Sequence, residues 1–113
     1  FAPIVNAETA GEWFKKGNNF AMSGEYEKAI ECFNKAIELN ANYAEIYYNR
    51  GTAYAYLKQY KRAIKDYEKA IDLDPNDAIA HKNRALALSK LNEQKQIKPE
   101  IYILPWKLGG VLL

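Results

Sequence analysis

Apolar and small residues recur along this chain at the spacing of one helix face. Between residues 25 and 39, Tyr26, Ala29, Ile30 and Phe33 fall at positions i, i+3, i+4 and i+7, which is the pattern of a helix that buries one side. Stretches with the same period lie before and after this one, and short segments rich in serine, glycine, asparagine or proline separate them. The pattern predicts five helices, at about residues 9–22, 25–39, 43–57, 59–73 and 77–91.

The ends of these helices carry residues that start or stop a helix. Thr9 followed by Glu12 fits a capping box at the start of the first helix. Gly24 interrupts the pattern after that helix, and Pro75 ends the fourth helix because proline cannot continue the helical hydrogen-bond ladder. The breaks therefore fall between the periodic stretches and support the same five helices.

The helices form pairs that repeat along the chain. A shift of 34 residues carries Gly17 onto Gly51 and Ala29 onto Ala63, and a second shift carries Gly51 onto Ala85. Aromatic residues superpose in the same way, with Trp13 on Tyr47, Phe20 on Tyr54, Tyr26 on Tyr60 and Phe33 on Tyr67. A fixed period of this length is typical of a solenoid, in which each helix pair buries its apolar face only by stacking on its neighbours.

Small residues at fixed positions indicate how each pair packs. Two antiparallel helices approach closely only where side chains are small, so we expect Gly17 to face Ala29 and Gly51 to face Ala63. Ala36 and Ala70 lie further along the second helices and would let the next pair dock.

The repeated positions give the chain a specific resemblance. Its pattern of Trp13, Gly17, Phe20, Ala29, Phe33 and Ala36, followed by Tyr47, Gly51, Tyr54, Ala63, Tyr67, Ala70 and Pro75, resembles the tetratricopeptide-repeat (TPR) signature over about residues 10–91. The resemblance implies an all-α fold, a right-handed solenoid of about two and a half repeats and five helices. It divides the chain into an N-terminal extension (1–8), a first repeat (9–42), a second repeat (43–76), the first helix of an incomplete third repeat (77–91) and a tail (92–113).

The tail departs from the repeat. Pro99 falls where a sixth helix is expected, and Pro105 and Gly109-Gly110 follow, so we expect residues 92–113 to form an irregular apolar segment. It could fold back as a cap, pair with another copy of the chain, or stay disordered, and its apolar residues disfavour the last outcome. The residues expected to make capping or oligomer contacts are Leu88, Leu91, Ile101, Ile103, Leu104, Trp106 and Leu108.

Composition and motifs exclude several classes of function. The 113 residues carry a net charge of only +2, one histidine and one cysteine, and no metal-ligand spacing, phosphate loop or nucleophile motif occurs. His81 stands where Trp13 and Tyr47 stand in the other repeats, which favours a structural role. We therefore expect no enzyme activity, no cofactor and no metal. We also expect no nucleic-acid partner, because RNA-reading helical solenoids have a 35-residue period and many more repeats.

The N-terminus leaves the cellular location open. Residues 1–7 are apolar with small residues at Val5 and Ala7, as at the end of a secretory signal peptide. The alternatives are export from the cell and a linker on a cytoplasmic protein. No stretch reaches the roughly 18 apolar residues of a membrane-spanning helix.

With those classes of function set aside, the sequence favours a surface that binds a protein or peptide ligand. In the TPR family, the first helices of successive repeats line a groove that binds extended peptides. The resemblance carries this role onto Phe14, Asn18, Met22, Glu45, Tyr48, Asn49, Thr52, Tyr56, Lys82, Asn83, Leu86 and Lys90. Asparagines suit a peptide backbone because each both donates and accepts, although Asn49 and Asn83 also stand where many TPR repeats keep a structural asparagine.

The resemblance also bears on the kind of peptide. Chaperone-adaptor TPR domains hold a C-terminal carboxylate with lysines, an arginine and two asparagines. Asn18 and Asn49 match those asparagines, but Phe14, Ile79 and Asn83 occupy the basic positions. The sequence thus predicts a protein-interaction module that does not bind a chaperone tail. The alternative is a self-assembly element in which the tail caps or inserts into another copy.

Overall fold

Five helices make up the structure, a computed structural model that describes residues 7–112 and the side chains of residues 7–96. The helices are α1 (Ala10–Met22), α2 (Tyr26–Leu39), α3 (Ala44–Tyr56), α4 (Tyr60–Leu73) and α5 (Ala78–Leu112). No strand occurs in residues 7–112. Each helix packs chiefly on its neighbour in sequence, as expected for stacked helix pairs. The all-α solenoid of helix pairs is therefore confirmed, and the first four helices begin and end within about two residues of the predicted bounds.

The last helix differs from the sequence-based expectation. The fifth helix was expected to end near residue 91 and an irregular tail to follow, whereas the helical backbone of α5 continues from Ala78 to Leu112. Residues 92–98 contain no glycine or proline and include Glu93, Gln94, Lys95 and Gln96, which are good helix formers. Nothing in residues 92–98 ends the helix, so α5 continues past the predicted end near residue 91. It also continues through Pro99, Pro105 and Gly109-Gly110, which were expected to interrupt it.

The helix ends show the expected chemistry. Thr9 is the N-cap of α1, and its side-chain oxygen accepts a hydrogen bond from the Glu12 amide at 3.1 Å. After α1, Gly24 has φ 78°, and after α3 the matching residue Lys58 has φ 60°. Both turns thus use a left-handed residue, although only the first is a glycine.

The turns before α3 and α5 are fixed by matching side chains. The Tyr47 hydroxyl donates to the carbonyl of Ala41 at 2.9 Å, and His81 Nε2 lies 2.9 Å from the carbonyl of Pro75. Both bonds span six residues and join equivalent positions. His81 therefore takes the structural role of the aromatic residue that it replaces.

Small residues bring the helices of each pair together. A side chain on Gly17 would meet the ring of Phe33, with a Cβ only 2.5 Å from Cε1, and one on Gly51 would lie 3.1 Å from the Ala63 carbonyl. The second contact is the predicted one, but in the first pair the close neighbour is Phe33 and not Ala29. Ala36 is fully buried in one cluster with Ile46 of α3, consistent with its predicted role in docking the next pair.

An arginine joins each helix pair to the one before it. Arg50 of α3 donates to Asn34 of α2 at 2.8 Å and makes a two-pronged bond with Asp66 of α4, both contacts at 2.8 Å. Arg84 of α5 reaches back to Glu68 of α4 at 2.9 Å. Arg84 and Glu68 lie one 34-residue shift after Arg50 and Asn34, so the two boundaries between pairs carry the same contact.

Candidate functional site

Two adjoining pockets follow the first helices of the pairs. One, of about 500 Å³, lies between α1 and α3 and is closed on one side by Tyr26 of α2. The other, of about 300 Å³, lies between α3 and α5 and is closed by Tyr60 and Tyr67 of α4. Thr52 and Tyr56 line both pockets. We call this continuous surface the groove.

Two asparagines meet in the first pocket. Asn49 Nδ2 donates to Asn18 Oδ1 at 2.8 Å, and both side chains are partly buried. Asn18 Nδ2 and Asn49 Oδ1 take part in no hydrogen bond with the described residues. The pair thus presents one donor and one acceptor side by side, which are the complements of a peptide carbonyl and a peptide amide.

A chain of hydrogen bonds lines the second pocket. Asn83 Nδ2 donates to the Tyr48 hydroxyl at 2.7 Å, and the Thr52 hydroxyl donates to the Tyr48 carbonyl at 3.0 Å. The Tyr67 hydroxyl lies 3.1 Å from Thr52 Oγ1. Burial raises the pKa of Tyr67 above its usual value, and the bond with Thr52 opposes that rise. The raised pKa favours the neutral form of Tyr67, and these hydrogen bonds link α3 to α4 and α5 along the pocket wall.

Large apolar side chains remain exposed along the groove. Met22 is 87% exposed, Tyr56 65% and Leu86 56%. The Tyr56 ring stacks on Tyr26 with centroids 4.7 Å apart and planes only 2° from parallel, so it is held in one orientation despite its exposure. Exposed apolar groups beside fixed polar ones are typical of a binding groove.

Most of the predicted groove residues lie together. Eight of the twelve line one or both pockets, namely Asn18, Met22, Asn49, Thr52, Tyr56, Asn83, Leu86 and Lys90. Four do not: Phe14 packs against Phe33 and Tyr43 at centroid distances of 6.0 and 6.3 Å, Tyr48 supports the pocket wall through its hydrogen bonds, and Glu45 and Lys82 are exposed beside it. A binding role for these twelve residues stays a prediction.

Sequence reasoning missed the contribution of the second helices. Tyr26, Tyr60 and Tyr67 line the pockets, but the TPR resemblance assigns the groove to the first helices alone. A signal for Tyr67 was present, because a hydroxyl replaces the plain ring of Phe33 one repeat earlier. A buried hydroxyl needs a polar partner, and Thr52 provides it.

The residues predicted to cap or oligomerise fall into two groups. Leu88 is 38% exposed, whereas Leu91 is partly buried and packs against the core cluster that contains Ala63 and Tyr67. Leu91 therefore has a partner within its own chain. The side chains of Ile101, Ile103, Leu104, Trp106 and Leu108 lie outside the described residues, as does the apolar start at residues 1–6. In the part of the chain that the structure describes, no helix is both long and apolar enough to cross a membrane.

Comparison with known families identifies the repeat. Models described as tetratricopeptide repeat match residues 44–77 and 66–98, and a model described as TPR repeat matches residues 17–58. Together they span residues 17–98, which include the second half of α1, all of α2, α3 and α4, and the first part of α5.

Comparison with individual proteins shows the same similarity. The chain is 50% identical over 38 residues to the uncharacterized protein MJ0572 of Methanocaldococcus jannaschii, which is 34% of this chain and 44% of that protein. Among solved structures, the MamA protein superposes with a TM-score of 0.75 at 26% identity, over 88% of this chain and 54% of MamA. This chain thus spans about half the length of these two proteins.

Two similar structures contain bound peptides. The second TPR domain of Spaghetti (RPAP3), bound to the HSP90 peptide SRMEEVD, has a TM-score of 0.70 and 34% identity over 92% of this chain and 99% of that one. The second TPR domain of human RPAP3, in complex with the HSP70 peptide SGPTIEEVD, has a TM-score of 0.71 and 32% identity over 83% and 78% of the two chains.

Proposed function

The chain belongs to the tetratricopeptide-repeat family, and from this we propose that it is a protein-interaction module whose groove binds a peptide segment of a partner protein. The peptide-bound RPAP3 domains support the proposal, since they share at least 32% identity and the same fold with this chain. The observation that carries it is the continuity of the groove, in which Thr52 and Tyr56 join two pockets.

The geometry suits an extended segment. The free donor on Asn18 and the free acceptor on Asn49 match one peptide group of a ligand and make no demand on its side chains. Met22 and Tyr56 offer apolar contact beside that pair, and Leu86 offers it in the neighbouring pocket. An extended peptide directs alternate side chains to the same face, so a segment held at the asparagines would place apolar residues in both pockets.

The ligand that fits is an internal segment rather than a carboxyl terminus. At the three basic positions of the family's carboxylate-binding sites this chain has Phe14, Ile79 and Asn83, none of which carries a positive charge. Of the residues that line the two pockets, only Lys90 is charged. A terminal carboxylate would lose its hydration without gaining a charged partner. We therefore propose a segment with apolar side chains and an uncharged contact to the asparagine pair.

A library of random peptides displayed on phage tests the proposal. Peptides selected on the wild-type chain are measured against Leu86→Glu, with Leu39→Glu as the matched control. Both leucines are 56% exposed, and both variants add one negative charge, but Leu39 lies at the end of α2 outside the groove. We expect the groove variant to lose binding and the control to retain it.

The asparagine pair provides a second arm of the same experiment. Asn18→Ala combined with Asn49→Ala removes the donor and the acceptor and leaves the apolar surface in place. We expect binding to weaken by about tenfold for the loss of two hydrogen bonds. Equal loss of binding in Leu86→Glu and Leu39→Glu, or full binding by the double asparagine variant, would place the site elsewhere.

Self-association is the second candidate function. Its supporting observation is the exposed Leu88 on α5, which is followed by no further helix pair among the described residues. The molar mass measured by light scattering over a range of concentrations tests it. A mass that rises with concentration and falls back in Leu88→Glu supports assembly, and a constant monomer mass rejects it.

A further inference from the structure

Another pocket, of about 520 Å³, lies between α3 and α4, on the side of the second helix pair that faces away from the groove. From α3 it is lined by Tyr47, Arg50 and Tyr54, and from α4 by Arg62, Lys65, Asp66 and Lys69. We call it the back pocket. An α-helix turns by about 100° per residue, which places Tyr47, Arg50 and Tyr54 on one side of α3 and the groove residues Asn49, Thr52 and Tyr56 on the opposite side. The two sites share no residue.

The back pocket carries an excess of positive charge. Its only carboxylate, Asp66, is 5% exposed and is held by both prongs of Arg50 at 2.8 Å. This ion pair neutralises Arg50 and leaves Arg62, Lys65 and Lys69 around the opening. Among the described residues none of these three forms a salt bridge. The pocket therefore offers three cations to a ligand.

Ion pairing within the fold does not account for this arrangement. Arg62, Lys65 and Lys69 follow each other at spacings of three and four along α4, and like charges at these spacings destabilise a helix. The pair of Arg50 with Asp66 already joins α3 to α4 without them. Cations that repel one another along a helix and form no salt bridge among the described residues are candidates for binding an anion.

The first repeat provides an internal comparison. The corresponding pocket between α1 and α2 has a similar volume of about 560 Å³, but its charged residues are two lysines and two glutamates, namely Lys16, Lys28, Glu25 and Glu31. Lys28 pairs with Glu25 at 2.8 Å, and this hydrogen bond raises the pKa of Lys28. At the positions of Glu25 and Glu31 the second repeat has Gln59 and Lys65. The same scaffold is thus neutral in one repeat and positive in the next.

The aromatic rings indicate which anion the pocket suits. Arg62 lies 5.5 Å from the Tyr54 ring centroid and Lys69 lies 5.9 Å from that of Tyr47, so cations already cover these ring faces. A nucleic acid would need free ring faces for its bases and a basic stripe for its phosphates, yet the equivalent pocket of the neighbouring repeat is neutral. Carboxylates need only the cations. We propose that the back pocket binds a segment of a partner protein that is rich in aspartate and glutamate.

This proposal does not depend on the groove. If both proposals hold, the module binds an apolar segment on one side and an acidic segment on the other.

A synthetic acidic peptide tests the back pocket. The probe is a fluorescein-labelled peptide of alternating glutamate and glycine, and the same peptide with glutamine in place of glutamate is the neutral control. Fluorescence anisotropy of the wild-type chain measures both at low and at high salt. We expect the chain to bind the acidic peptide and not the neutral control, and we expect this binding to weaken as the salt concentration rises.

Matched variants locate the binding. Lys65→Glu introduces the residue that the first repeat has at this position, and Lys61→Glu does the same one turn earlier, on the part of α4 outside the back pocket. Both side chains are exposed and both variants change the net charge equally. We expect Lys65→Glu to weaken binding of the acidic peptide by about tenfold, because the attraction between Lys65 and a peptide carboxylate becomes a repulsion of similar size. Lys61→Glu should change the affinity less than twofold.

Several outcomes would overturn the assignment. Equal losses in the two variants would show a response to net charge alone, and the absence of any binding by the acidic peptide would show that the cations hold no such ligand. An oligouridylate of the same charge that binds more tightly than the peptide, with the same dependence on Lys65, would assign the pocket to nucleic acid instead. Circular dichroism of each variant confirms that the helices are intact, and the groove variant Leu86→Glu should bind the acidic peptide as the wild type does.

Discussion

Replacing Gly17 by alanine should destabilise the first helix pair. Gly17 lies in the interior of α1, and an added Cβ would stand 2.5 Å from Phe33 Cε1 and 2.7 Å from Cδ1. Carbon atoms in ordinary contact are about 3.5–4.0 Å apart. The substitution therefore forces the Phe33 ring and α1 apart by about 1 Å.

The size of the effect follows from two opposing terms. Overpacking a core costs about 1–3 kcal/mol, and the upper end applies because Phe33 is fully buried and the Phe14 ring packs against it. Replacing glycine by alanine inside a helix raises the free energy of unfolding by about 1 kcal/mol, because alanine has the higher helix propensity. The net loss is about 2 kcal/mol, which lowers the midpoint of thermal unfolding by roughly 10 °C for a chain of this size.

The same substitution elsewhere in α1 provides the control. The nearest atom to an added Cβ on Gly11 is Thr9 Oγ1 at 3.8 Å, so no clash opposes the gain in helix propensity. Thermal unfolding followed by circular dichroism should therefore show Gly17→Ala below the wild type. Gly11→Ala should lie slightly above it, by about 0.5 kcal/mol.

A double variant separates steric overlap from other causes. Phe33→Leu removes the ring atoms that a Cβ at position 17 would meet, so Gly17→Ala should cost less in that background than in the wild type. A melting temperature of Gly17→Ala at or above that of the wild type would refute the reasoning, because the close approach of α1 and α2 would then not depend on glycine.

Two further predictions concern buried polar groups. Asp66→Ala should lower the free energy of unfolding by about 2–3 kcal/mol in urea titrations, because it leaves the partly buried Arg50 without its carboxylate. Glu68→Ala removes the exposed contact with Arg84 and should cost less than about 1 kcal/mol in the same titrations. Equal costs for the two variants would contradict this difference in burial. Burial raises the pKa of the Cys32 thiol, so the stability that it contributes is complete below the unfolded pKa of about 8.5 and is lost as the pH rises through the higher folded value. Iodoacetamide should accordingly label Cys32 much more slowly in the native chain than in urea at pH 8, and equal rates would show that the thiol is accessible.

The repeat made most of the fold predictable. A helix pair that recurs with Gly17 on Gly51 and Ala29 on Ala63 has only one way to bury all its apolar faces, which is by stacking. The period therefore determined the approximate bounds of the first four helices and which residues lie together on the first helices of the pairs. The end of α5 was not predictable in the same way, because residues 92–98 have good helix propensity but no repeat pattern. Helix propensity accounts for the continuation through residues 92–98, whereas Pro99 and Pro105, on which the prediction of an irregular tail rested, did not end the helix.

The candidate sites were less accessible to sequence reasoning. A resemblance to a family transfers positions on one helix, but a pocket depends on side chains from several helices, such as Tyr26 stacked on Tyr56. The back pocket was missed for a related reason. Its lysines alternate with acidic residues along the sequence and are typical of an ordinary solvated surface. Only the structure shows that Asp66 is paired with Arg50, whereas Lys65 forms no salt bridge among the described residues.

The arginine contact at each boundary has a consequence for how such a chain can grow. Arg50 meets Asn34, and one period later Arg84 meets Glu68, so the second unit has a donor at its front and an acceptor at its back. A duplicated unit inserted between the two would find a matching partner on both sides. Gene duplication could thus lengthen this protein one unit at a time, with each junction formed in advance, while the two sides of each new unit remained free to diverge.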